Sequence, residues 1–386
     1  MRVSQIASQP SQIGRPGETS LAAQSRSVSA VEFALLVLVL LVFTEGVLPR
    51  LVASEQSADG SPILRILWLP LYALIGLGLI WRARDIARTS LRLPFLMALL
   101  VLSALSFLWS IDPGLTQRRS LALLMTSAAG LYLGTRYNWQ TLLRALGAAW
   151  LIIGLASFAA ALLLPEFGRA QDIHDGAWKG FYFEKNQLGG HMALAALITA
   201  FLSLMDRKLR RFWLSAFVLS GLLVAASTSK TALLGMTLGL AVLITGALMK
   251  RGLRTAFAVA WASAVIAAVF GLTLWLAPDL IFDLLGREAS LTGRTDIWAV
   301  LIGFIEQRPL LGYGYGAFWA EGSAAGDWVR ETLQWQAPTA HNGWLEVALA
   351  LGVTGLLLLV LDFLVTLIRA VLASFQTWAG LFALAF

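Results

Sequence analysis

Four short polar motifs, each at the edge of an apolar run, hold the residue types that could do chemistry in this chain. The first is Ser227-Thr-Ser-Lys-Thr231, a tight connection between two apolar segments. Hydroxyls and an ammonium all donate hydrogen bonds, so a turn holding Ser229 and Lys230 suits a phosphate oxygen. A lysine snorkelling to a membrane interface would occupy the same place. The second is Ala340-His-Asn-Gly343. A neutral imidazole accepts a proton near physiological pH, which makes His341 a candidate general base, with Asn342 beside it to orient a sugar or the ring. An interfacial histidine bonded to a backbone carbonyl is the plainer alternative. Arg294, in Gly293-Arg-Thr-Asp-Ile-Trp298, offers paired planar donors to a phosphate next to the amides of a helix start, or is a solvated helix-end arginine. Lys185 and Asn186, in Phe181-Tyr-Phe-Glu-Lys-Asn186, suit either an anion or an interfacial anchor. His191, about one helical turn further on, reads as a packed, hydrogen-bonded residue.

These groups are cationic or basic, come from separate loops, and have no evident acidic pair among them. Carboxylate-driven glycoside hydrolysis needs two apposed acids, and metal-assisted transfer needs an Asp-rich site. Neither is visible. With no cysteine and three histidines, no metal site is expected, nor any cofactor. A donor whose leaving group is a diphosphate would need cations and one base, which these loops offer. Gly312, Gly314 and Gly316 alternate with Tyr313, Tyr315 and Ala317, but no strand precedes them, so a turn or packing role is expected rather than a nucleotide loop.

The elements that must position these motifs are set by hydropathy. The 386 residues are 58% hydrophobic and 13% charged, against roughly 25% charged in an ordinary soluble domain. So little charge cannot cover a soluble globule. Apolar runs long enough to cross the hydrocarbon recur along nearly the whole chain, and they do not alternate in the manner of a porin-like barrel. The fold class is therefore all-α: a polytopic integral membrane protein with about ten or eleven transmembrane helices. Spans are expected near 31–47, 63–81, 93–111, 120–135, 142–164, 187–205, 212–226, 232–249, 255–277 and 344–368. Residues 1–29 are polar and read as a disordered cytoplasmic tail ahead of the polytopic domain, 30–386. No signal peptide precedes 31–47, which reads as a retained signal anchor. The apolar stretch 371–386 stops abruptly and looks like a helix cut short.

Charge fixes the expected orientation. The formal charge of +7 and pI near 10.0 arise mostly from short loops rather than from a nucleic-acid-binding face. Placing the N-terminus in the cytoplasm puts Arg82, Arg84, Arg88, Arg92, Arg136, Arg144, Arg207, Lys208, Arg210, Arg211, Lys250, Arg251 and Arg254 on inner loops. The outer side then receives Glu45, Glu55, Asp59, Glu166, Asp172 and Asp175 and two long segments, 166–186 and 278–343. Within the larger, periplasmic one, Thr292 can cap a helix whose Ile297, Val300, Leu301, Phe304 and Ile305 share one face, an amphipathic helix expected to lie on the membrane surface.

Gly180-Phe-Tyr-Phe-Glu-Lys-Asn-Gln-Leu-Gly189, Ser227-Thr-Ser-Lys-Thr231, Gly293-Arg-Thr-Asp-Ile-Trp298, Arg308-Pro-Leu-Leu-Gly-Tyr-Gly314 and His341-Asn-Gly-Trp-Leu-Glu346 with Gly352 and Gly355 follow one another in the order seen in the O-antigen ligase and polymerase superfamily. Over roughly 100–370 the chain resembles that superfamily, and within it the exopolysaccharide-polymerisation branch. The resemblance implies a glycosyltransferase in the bacterial inner membrane, with its site facing the periplasm. It would move glycan from an undecaprenyl-diphosphate carrier to a glycan or lipid A-core acceptor, and chain-length or export proteins would be further partners. It also implies His341 as base, with Arg294 and Lys230 on the diphosphate and Lys185 nearby. Ligases usually carry arginine where Lys230 stands, which keeps the charge but loses bidentate geometry and points toward a polymerase. Glu184 stands where relatives often have histidine, so it receives no catalytic role. A lipid-linked oligosaccharide flippase is the rival from another class, but it would need a polar path through cytoplasmic helix halves that look almost uncharged.

Overall fold

The computed structural model describes residues 28–52, 61–171, 174–277, 294–334 and 339–386. Residues 1–27 of the expected tail, the cap at Thr292, and Glu55, Asp59 and Asp172 lie outside the described residues. The described chain is helical, with no strand beyond an isolated bridge between Arg169 and Trp178. In order the helices are α1 Ala30–Val42, α2 Val47–Val52, α3 Pro62–Trp81, α4 Ala83–Ser90, α5 Pro94–Leu105, α6 Pro113–Arg136, α7 Trp139–Leu163, α8 Pro165–Gly168, α9 Lys185–Met205, α10 Arg210–Ala226, α11 Lys230–Met249 and α12 Leu253–Leu276. After them come α13 Arg294–Gln307, α14 Ala324–Leu333, α15 Gly343–Gln376 and α16 Trp378–Ala385. Their starts carry the expected local signals. Asn138, Ser229, Ser323 and Thr377 each accept from the backbone N–H three residues on. Pro62, Pro94 and Pro113 sit at first positions, where a missing N–H costs nothing.

Every expected span coincides with a helix, and among the described residues six of these helices (α3, α7, α9, α11, α12 and α15) are each long and apolar enough to cross a membrane. A seventh arises if α4 and α5, bent by 101°, count as one broken span. The helices at the other expected spans differ from these in length or charge. α1 has 13 residues and α10 has 17, short of the roughly 20 a straight span needs. α6 starts ahead of its apolar run and carries Arg118 and Arg119 in its first turns. The stretch 371–386 divides: α15 runs to Gln376, and Thr377 caps a separate α16 whose Leu381 and Phe382 pack into the main core.

That core is centred on α9, whose Leu188, Met192, Ile198 and Phe201 are fully buried against α7, α10 and α11. Between helices in lipid, close packing replaces hydrophobic exclusion, and small residues permit it. A Cβ on Gly147 would sit 3.0 Å from the Trp213 ring, and one on Gly189 would sit 2.7 Å from Ser227 Oγ. Where α1 begins and α6 ends, Glu32 pairs with Arg136 and accepts from the Tyr137 hydroxyl at 3.1 Å. Burial first, and Glu32 second, push the Tyr137 phenol up to about 12.

A second, smaller core forms between α13, α14 and the start of α15. Ile297 and Leu301 of α13 are fully buried with Tyr313, Phe318, Val329, Ala340 and Leu349, and Val300, Phe304 and Ile305 border them. The apolar face of α13 is therefore spent on this subdomain, not on the membrane surface. Periodicity reported the face correctly but could not name its partner.

α15 is broken inside its apolar run. Gly352 takes φ 66° and ψ −167°, a conformation essentially confined to glycine. The segment Arg308-Pro-Leu-Leu-Gly-Tyr-Gly314 fits the break: Tyr313 N–H donates to Leu349 O at 2.8 Å and Gly314 N–H to Ala350 O at 2.9 Å. In return, Pro309 O accepts from Val353 N–H at 2.7 Å and Leu310 O from Thr354 N–H at 3.3 Å. Backbone groups released by the break are thus paired by the glycine-rich segment, as buried peptide groups must be. Arg119 of α6 donates to Gly316 O, and Tyr315 N–H to Ser106 Oγ at 2.9 Å, so the segment also ties α5 and α6 to α15.

Candidate active site

The structure places the sequence-predicted residues in two groups on different helix pairs. Lys185, Asn186, Ser229 and Lys230 stand where α9 and α11 begin, while Arg294, His341 and Asn342 stand where α13 and α15 begin. Among the described residues, α9 and α11 share no extensive packing face with α13 or α15.

In the first group, Lys185 Nζ donates to Thr228 Oγ1 at 3.1 Å, bridging the two helix starts. Gly189 allows this approach, since a side chain there would collide with Ser227 and Ser229. The three hydroxyls that precede Lys230 do not face one way. Ser227 is fully buried and donates to Val224 O at 2.7 Å, and Ser229, nearly as buried, caps α11 through Ala232 N–H. Thr228 alone of the three is exposed, beside the exposed Lys230. Thr228 is held at φ 52°, a left-handed conformation that is a true outlier for a β-branched residue. Two helix N-termini with positive dipole ends and two lysines make this end electropositive. His191 is packed as expected: Nδ1 lies 2.9 Å from Gln187 O and the ring stacks on Tyr182 at 4.7 Å. Burial pushes the Tyr182 phenol above its ordinary value.

In the second group, His341 is exposed and also left-handed, at φ 51°. Its neighbour Ala340 is fully buried and pinned on both sides. Trp298 Nε1 donates to Ala340 O at 2.9 Å, and Ala340 N–H donates to the Glu346 carboxylate. Trp319 Nε1 donates to both Glu346 oxygens at 3.1 Å. Asn342 is committed locally, because its Oδ1 caps α15 by accepting from Trp344 and Leu345 N–H at 3.0 and 3.4 Å. Arg294 heads α13 one turn before Trp298, so the helix that carries the arginine also pins the histidine segment.

Sequence reasoning missed Glu346 and Trp298. A carboxylate at the head of an apolar helix was the available signal, because such a charge requires partners. Glu346→Ala is expected to cost about 2 to 3 kcal/mol, since charge-assisted bonds are lost and the buried Ala340 N–H is left unpaired. Thermal unfolding in detergent measures this. Glu346→Gln, which keeps one acceptor oxygen, should recover part of it.

Residues 215–360, which hold Lys230, Arg294, Glu346 and His341, match the O-antigen ligase family. That match covers somewhat more than a third of the chain, which over these residues is similar to that family. The chain is also 28% identical over 283 residues to Exopolysaccharide production protein ExoQ of Rhizobium meliloti (strain 1021), covering 69% of this chain and 62% of that protein. The chain thus spans under two thirds of the length of this curated relative. Within the matched residues, Trp298 ties α13 to Ala340 beside His341, and the glycine-rich segment is hydrogen-bonded to the break in α15.

Proposed function

We propose that this chain is a glycosyltransferase of exopolysaccharide or O-antigen type, which transfers or polymerises glycan from an undecaprenyl-diphosphate carrier at the periplasmic face of the bacterial inner membrane. The observation that carries the reading is the rigid presentation of His341, with Ala340 fixed on both sides and the imidazole left exposed. The family match and the production role in the relative's name support it. The reaction is inverting. His341 takes the proton of an acceptor hydroxyl, that oxygen bonds to the anomeric carbon of the donor, and the bond from that carbon to the diphosphate oxygen breaks with its electron pair. Lys230 and Lys185 from one group and Arg294 from the other meet the charge developing on the diphosphate, since cations placed where charge develops lower such a barrier. Ser229 caps the start of α11 and Asn342 the start of α15, while Asn186 follows Lys185 at the start of α9. No added metal is required.

Charge at Lys230 is the tested variable for the diphosphate contact. Lys230→Arg should retain most glycan output, while Lys230→Ala and Lys230→Glu should lower it by about a hundredfold, the scale of losing one oxyanion donor. Repeat-unit analysis of membrane lipids and secreted polymer, at matched protein level, reads the result. Full output from Lys230→Glu would leave the residue as an interfacial anchor. Orientation has its own check: alkaline phosphatase fused at Ala325 should be active and fused at Met249 inactive. The reverse pattern would place the site in the cytoplasm.

A further inference from the structure

A groove of about 770 Å³ lies between α13 and α14, and none of the residues assigned above lines it. Small residues line much of it, Ala299, Gly303 and Ala325 among them, with Trp328, Gln307 and Arg308 alongside. Gly303 has no packing reason to be glycine, since a Cβ there would meet nothing within 4 Å. Glycine inside a helix weakens it relative to alanine, so what the position gains is open space. Trp328 is 51% exposed, yet its ring is steadied by Phe304 in an edge contact at 5.5 Å. Arg308 is held over the Tyr313 ring at 4.9 Å.

A steadied, open indole beside an uncluttered groove offers an apolar plane to the C–H face of a pyranose, and an amide with a guanidinium offers donors to its hydroxyls. A lipid chain would have no use for the polar pair, and a phosphate ligand would call for more than one cation. The volume falls in the range of small-ligand sites. Gly303 stands nine residues after Arg294, roughly 14 Å along α13 at helical rise, so the groove lies a few sugar rings from the helix start carrying the diphosphate contact.

We propose that this groove holds the glycan chain a few residues away from the reacting end, as acceptor or newly extended product; the inference rests on the glycosyl-transfer reading above. Substitution of Gly303 is the sharpest probe, because a larger side chain enters empty space without displacing the fold. Full-length protein in nanodiscs, carrying His341→Asn so that transfer does not consume the ligand, is titrated with oligosaccharides of one and of three repeating units cut from the host strain's own exopolysaccharide. The longer oligosaccharide should bind, and Gly303→Leu and Trp328→Ala should each weaken it by about tenfold or more, the loss expected at a binding hot spot. Gly303→Ala should bind as the parent does. If Gly303→Leu fails to fold, Trp328→Ala supplies the same comparison. Absence of binding by the parent, or binding unaltered in Gly303→Leu and Trp328→Ala, overturns the proposal. Normal binding by Gly303→Leu with polymer lost in cells also overturns it and reassigns the groove to a protein partner. Polymer made in cells by His341→Asn would instead sink the transfer assignment while leaving the binding result intact.

Discussion

His341→Asn is expected to make polymer at no more than about a hundredth of the normal rate, since general-base catalysis contributes roughly a hundred- to ten-thousand-fold. Asparagine is the better replacement because His341 sits at φ 51°, where asparagine is tolerated and alanine is strained. The carboxamide cannot take the proton, yet the backbone, the pinned Ala340 and the cap at Asn342 all remain. Thermal unfolding should therefore match the parent, and retention of the lipid-linked donor should too, while purified protein forms no chain. His341→Ala should be equally inactive but less stable by about 1 kcal/mol, the cost of a left-handed alanine. Near-normal turnover by either variant would remove His341 as base and reduce the site to phosphate binding.

Gly352→Ala should show the second large effect, on folding. The break in α15 uses φ 66° and ψ −167°, a conformation that costs other residues of order 1–3 kcal/mol. A Cβ there would also lie inside van der Waals distance of the Leu310 and Leu311 backbone, which the reciprocal hydrogen bonds hold in place. Strain and overlap together should exceed about 4 kcal/mol, an exceptional loss for one methyl group. Little monodisperse protein should survive size-exclusion chromatography in detergent. Gly303→Ala is the control, because its methyl enters open space and removes a helix-weakening glycine, so it should hold or raise the melting point. A Gly352→Ala protein that melts like the parent would mean that the break is not needed.

Hydropathy made the order of the helices legible, because a run of apolar residues at membrane depth has few alternatives to helix. The motif residues were legible as chemical types at helix starts: Lys185 and Lys230 do share one end of the molecule, bridged by Thr228. Their uncharged neighbours were less so. Ser227 and Ser229 turn inward to satisfy backbone groups, a competition that side-chain inventories do not reveal. The expected spans all fall on helices, but apolar content does not report where a helix stops, and α1 and α10 end after 13 and 17 residues. The break at Gly352 was hidden inside a continuous apolar run, since what stabilises it is the segment Pro309 to Gly314, more than thirty residues earlier. Glu346 stands within a motif but without a task, because its partners Trp319 and Ala340 meet it only once the subdomain of α13 and α14 folds.

On the proposed function, this chain itself moves glycan from a lipid diphosphate to an acceptor. The test is purified protein with an undecaprenyl-diphosphate-linked repeat unit and an acceptor glycan, incubated in EDTA and resolved by mass analysis. Products lengthened by whole repeat units, with free undecaprenyl diphosphate released in equal number, are the predicted result. Intact donor after prolonged incubation with folded protein, or extension only when a divalent metal is added back, would contradict it.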